Sequence, residues 1–174
     1  MMGKPFAWAV WMVAAAAWAQ SSTPAAVPAV IPSKAPPTQP IPFNHKVHAA
    51  VGLTCLGCHA IAAPGDLAGL PAATFCMGCH ETVKSDSPAI RTLKTFASEP
   101  KPIPWVRVYK LPGFVYFSHQ VHHKKARIEC AVCHGPVAER NVIAQEKSTA
   151  MVDCMKCHDQ YKAPNGCELC HDSH

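Results

Sequence analysis

Five Cys-x-x-Cys-His runs take up every cysteine in the chain: Cys55, Cys58 and His59; Cys76, Cys79 and His80; Cys130, Cys133 and His134; Cys154, Cys157 and His158; Cys167, Cys170 and His171. Two thiols three apart on one turn can form thioethers to the two vinyl groups of a single porphyrin. The imidazole of the next residue then reaches the iron from the same side, as a proximal ligand. Zinc sites also use Cys-x-x-Cys pairs but do not require a histidine after each second cysteine. A redox dithiol would sit near a βαβ pattern, which is absent, and a disulfide scaffold has no use for the five histidines. The spacing therefore predicts five covalently bound haem c groups.

Eleven histidines less five proximal ones leave His45, His48, His119, His122, His123 and His174. Four of these belong to an internal repeat. Phe43, His45, Val47 and His48 stand six residues before Cys55, and Phe117, His119, Val121 and His122 stand seven before Cys130. On a helix, rings at i and i+3 project about 60° apart, so one can serve the haem that follows and the other a neighbouring haem. His45, His48, His119 and His122 are thus the expected distal ligands. The fifth is open. Met77 and Met155 lie inside motifs and Met1, Met2 and Met12 fall in the leader described below, which leaves Met151 as the thioether candidate, with His174 and His123 as rivals and an open iron as the remaining alternative. Methionine ligation would raise that haem's potential above its bis-histidine neighbours.

The elements that must position these ligands are short. Residues 20–174 would carry five haems at roughly 31 residues each, too few to bury the porphyrins separately, so the macrocycles must pack together and supply much of the buried apolar surface. The expected fold is mostly coil with short α-helices, a haem-stacked core and little or no β. Each motif should open or lie on a short helix. The best other helix is 87–97, with Ser87 as cap, Pro88 at the first position, and Ile90, Leu93, Phe96 and Ala97 on one face. Residues 105–109 alternate as a strand would, but Pro104 and Pro112 confine them to an isolated or edge piece.

Residues 1–19 read as a secretory signal peptide: Lys4, an apolar run, and the small residues Ala17 and Ala19 before a cleavage site. The apolar run is short of the roughly 20 residues that span a membrane, so cleavage is expected over an uncleaved anchor. Residues 20–42 form a Pro/Ala-rich tether, 43–85 a first lobe with two haems, 86–114 a connector with the helix, and 115–174 a second lobe with three haems. The product should be exported, periplasmic, and associated with a membrane through partners or the N-terminus.

The Phe-x-His-x-x-His units and the bis-histidine arrangement resemble class III multihaem cytochromes c of the c3 and c7 type. Ile103, Pro104, Trp105 and Val106, then residues 111–119 and the third motif followed by Gly135, Pro136 and Val137, are similar to the pentahaem cytochrome subunit of alternative complex III. That resemblance covers about residues 43–158. It implies a periplasm-facing subunit of a quinol-oxidising complex. Its partners would be an iron-sulfur or molybdopterin-type subunit, a membrane quinol module, and a monohaem cytochrome or oxidase. In that family a methionine shortly before the fourth motif is a candidate axial ligand, and Met151 holds the matching place.

The formal charge of +5 invites a nucleic-acid reading. Without Lys4, and with five haems' propionates and ferric cores added, the oxidised holoprotein comes to about −1 and the reduced one to about −6. No nucleic-acid partner is expected, and Lys124, Lys125 and Arg127 are more simply propionate counter-charges than a docking patch. No nucleophile, acid-base pair or phosphate loop is recognisable, so electron transfer is the leading function. A free periplasmic shuttle is one alternative. A multihaem oxyanion reductase is another, and it needs an open iron that the supply of histidines argues against.

Overall fold

The computed structural model describes residues 34–171. The expected signal peptide and His174 lie outside the described residues. Among the described residues six α-helices, none longer than 11 residues, follow one another through coil: α1 His45–Ala50, α2 Cys55–Cys58, α3 Ala73–His80, α4 Pro88–Ala97, α5 Cys130–His134 and α6 Met151–Tyr161. A π-helical turn at Gln120–Lys125 and 3₁₀ turns at Val137–Glu139 and Cys167–Leu169 complete the set. Among the described residues there is no strand, only an isolated bridge between Val115 and His171. Nor is any described helix long and apolar enough to cross a membrane.

Local chemistry explains the helices. Asn44 caps α1 by accepting from the Val47 N–H at 3.0 Å, and Thr54 caps α2 by accepting from Gly57 at 3.2 Å. Ser87 caps α4 by accepting from Ile90 at 3.3 Å, with Pro88 in the first turn, where its missing N–H costs nothing. The α4 face then buries Ile90 and Leu93 against α3. Each of the first four motifs opens, lies on or ends a short α-helix; the fifth opens on a 3₁₀ turn.

The protein core proper is small. It consists of Ile41, Ala73, Met77, Ile90, Leu93 and Ile103, with Phe96 and Trp105 packed against it. No large side chain among the described residues is fully buried. Large apolar residues inside or beside the motifs, including Leu56, Phe75, Val132, Met155 and Leu169, stay exposed instead. Apolar surface gathered around thiol pairs suits a flat apolar group bound there.

Within the Pro/Ala-rich stretch, Ile41 lies in the core and Gln39 clips onto the connector. Residues 105–109, which alternate as a strand would, make no strand: the Gln39 side chain donates to the Val106 carbonyl at 2.8 Å and accepts from its N–H at 2.9 Å. One side-chain amide thus satisfies the backbone groups that a neighbouring strand would have taken.

Candidate haem sites

The two copies of Phe-x-His-x-Val-His adopt closely matching local geometry. Phe43 stacks on His48 at 4.3 Å and meets His45 edge-on at 4.7 Å; Phe117 stacks on His122 at 4.4 Å and meets His119 edge-on at 4.9 Å. The Ser118 hydroxyl accepts from the Val121 N–H at 3.3 Å, as Asn44 does from Val47. They differ in winding. The first copy is α-helical, whereas the second continues into the π-helical turn, where the Ala126 N–H reaches back five residues to the Val121 carbonyl. The extra residue between His122 and Cys130 is absorbed there, as a π-bulge absorbs an insertion. His122 keeps its place.

Each repeat histidine faces a proximal one. His45 lies 6.4 Å from His59 between ring centroids, with the planes 9° apart, and His119 lies 6.3 Å from His134 at 6°. His48 and His80 are 6.1 Å apart at 61°, and His122 and His158 are 6.0 Å apart at 38°. No three metal-binding side chains converge among the described residues, so the imidazoles come as facing pairs, not as a zinc-like cage.

Backbone carbonyls set the tautomers. Nδ1 donates to a carbonyl in His48 (Asn44, 2.7 Å), His59 (Gly69, 2.8 Å), His80 (Val83, 2.8 Å), His119 (Asp66, 2.7 Å), His122 (Ser118, 2.8 Å) and His158 (Pro164, 2.6 Å). With the proton on Nδ1, the Nε2 lone pair is free for a metal, the usual outer-shell arrangement of a ligating histidine. His45 differs: its Nδ1 is buried without a partner. Burial first, then the neighbouring His59 and His48, lowers its pKa to about 4, so the ring is neutral and able to ligate at neutral pH. Burial, then His119 and His59, also lowers that of His134.

Sequence reasoning missed Tyr109. Its ring stands edge-on to His134 at 4.6 Å, its hydroxyl donates to the His134 carbonyl at 3.4 Å, and the hydroxyl accepts from the N–H groups of Glu146 at 3.1 Å and Lys147 at 3.2 Å. Only its place in an alternating run hinted that one face of Tyr109 points inward. Glu146 in turn pairs with Arg140 at 2.5 Å, a hydrogen bond that holds its carboxyl below the usual range.

The fifth motif is placed differently. Tyr116 donates its backbone N–H to the Cys170 carbonyl at 2.8 Å, and Phe114 lies 5.9 Å from the His171 ring. Met151 opens α6, is 63% exposed, and lies one helical turn before Cys154. His123 donates from Nδ1 to the Ile128 carbonyl at 3.0 Å.

Residues 115–172 match the family described as Cytochrome c7 and related cytochrome c. This c7-like segment is about a third of the chain and holds the third, fourth and fifth motifs with the second copy of the repeat. This stretch is similar to cytochromes c of the c7 type. No curated protein matches the chain.

The ring angles bear on spectra. Nearly parallel imidazoles remove the degeneracy of the iron d orbitals, and strongly rotated ones restore it. Electron paramagnetic resonance of the oxidised protein is expected to show rhombic low-spin signals from the first and third sites and a low-field, highly anisotropic one from the second, where the rings are 61° apart. A single class of low-spin signal would contradict these ring orientations.

Proposed function

We propose that the chain is a pentahaem cytochrome c that carries electrons on the periplasmic face of a membrane, as a subunit of a quinol-oxidising complex. The observation that carries the haem reading is the set of four imidazole pairs 6.0 to 6.4 Å apart. Two nitrogens on opposite sides of one metal, each about 2 Å from it, put ring centroids roughly 6 Å apart. The residues therefore fit the group that the thiol pairs call for. When bound, each haem supplies a one-electron iron couple.

The chain's own side chains do the holding. His45 with His59, His48 with His80, His119 with His134 and His122 with His158 would hold the first four irons between them. His171 would be proximal at the fifth, with Met151 as its distal ligand and His174 as the rival. Met151 is proposed because it stands one helical turn before Cys154 on α6, at the place where the resemblance puts a ligating methionine. The wild type is expected to show a near-infrared methionine-to-iron charge-transfer band that Met151→Ala abolishes. Survival of that band in the variant would exclude the assignment.

The partners proposed are an iron-sulfur or molybdopterin-type subunit, a membrane quinol module, and a monohaem cytochrome or oxidase. Support comes from the resemblance over residues 43–158 and from the absence of acid-base or nucleophilic machinery in the sequence. Purification from native membranes, with an intact mass and identification of co-purifying chains, tests the reading. The expected result is a mature chain starting after Ala19, five haems heavier than its polypeptide, in company with membrane subunits. Recovery alone in the soluble fraction would make it a free shuttle, and a mass without haem would end the proposal.

A further inference from the structure

We infer that the five attachment sites are strung through the fold in the order second, first, third, fourth, fifth, and that the two repeats dock on one another in an isologous fashion at a junction between the first and third. This rests on the haem reading above and adds what motif spacing does not carry. The Lys46 N–H donates to the Arg140 carbonyl at 3.0 Å, and the Gln120 N–H donates to the Gly65 carbonyl, also at 3.0 Å. Lys46 and Gln120 hold the same place in the two repeats, directly after His45 and His119. Gly65 and Arg140 also correspond, each standing six residues after a proximal histidine, His59 and His134. Each repeat therefore gives to the other what it takes from it, the signature of an isologous contact, here within one chain.

Further bonds cross the same junction. His119 is oriented by the Asp66 carbonyl of the loop behind the first motif, and the Lys124 ammonium donates to Ile61 of that loop at 2.7 Å. In the other direction α1 lies on the Val137–Glu139 turn behind the third motif. The correspondence lapses at His45, whose Nδ1 has no partner while the Asn44 amide donates to the Asn141 side chain at 3.1 Å.

Within each repeat one phenylalanine joins two sites: Phe43 touches the distal histidines of the first and second, and Phe117 those of the third and fourth. The fifth motif joins the second repeat at its leading edge, where the Tyr116 N–H donates to the Cys170 carbonyl at 2.8 Å and Val115 bridges to His171. The passage between repeats thus falls between the first and third sites.

Gly65 is what lets the repeats come this close. Its φ is +95°, and a Cβ there would lie 2.4 Å from that of Gln120. Iron-edge anomalous diffraction from holoprotein crystals tests the order directly. The expected result is five irons in an unbranched line, the inter-repeat neighbours being those on His59 and His134 and the ends those on His80 and His171. Any other inter-repeat pair, or a branched arrangement, overturns the inference. In holoprotein carrying Gly65→Val, the separation of the first and third irons should lengthen, with the first-to-second and third-to-fourth separations unchanged; an unaltered first-to-third separation also counts against it. Should that variant fail to take up haem, the wild-type iron positions decide alone. An intact mass short of five haems would refute the count proposed above, whereas a full complement in another order would refute this inference only.

Discussion

Made in cells that cannot attach haem, the chain gives no cooperative unfolding transition with heat or denaturant. Six buried side chains form its core among the described residues, and none of the large ones there is fully shielded from water. So few buried groups cannot offset the loss of backbone freedom over a fold made mostly of coil. The exposed Leu56, Phe75, Val132, Met155 and Leu169 cluster with the thiol pairs, where porphyrin faces would cover them. Calorimetry of haem-free and haem-loaded protein makes the comparison. A sharp, reversible transition in the haem-free chain would show that the polypeptide alone carries the fold.

His119→Ala should have two effects at once. One low-spin haem becomes high-spin, because the ring facing His134 at 6.3 Å is gone. The repeats also lose a mutual tie, since the His119 imidazole bonds to the Asp66 carbonyl across the junction; a single such bond is worth about 1 kcal/mol. His48→Ala is the matched control. It also removes one ring of a pair, but the bond it loses is to Asn44, inside its own repeat. Magnetic circular dichroism should therefore report one high-spin haem in each variant, with the melting temperature lower in His119→Ala. Equal melting temperatures would mean that the His119 tie contributes nothing to docking, and an unchanged spin state in either would remove that histidine from the ligand set.

Much of the site was legible because its chemistry is written in residue types. Thiol pairs followed by histidine, and histidines three apart behind a phenylalanine, need particular side chains at fixed spacing. The α4 helix was legible for the same reason, through Ser87 and Pro88 at its start. What could not be read are the acceptors. Asp66, Gly69, Val83 and Pro164 orient imidazoles with their carbonyls, which every residue possesses, so no residue type marks them. Pairings such as Lys46 with Arg140 or Gln39 with Val106 are decided by packing across many intervening residues, beyond any local pattern. Tyr109 escaped notice likewise, because its hydroxyl serves backbone groups that come near only after folding.

The reciprocal bonds between the repeats also bear on how the molecule is built. A chain emerging from its amino end presents α1 early, yet the carbonyl that receives the Lys46 N–H belongs to Arg140. The leading half must wait, unfinished, for the trailing half to arrive. Docking of the leading repeat is thereby tied to the arrival of the trailing one.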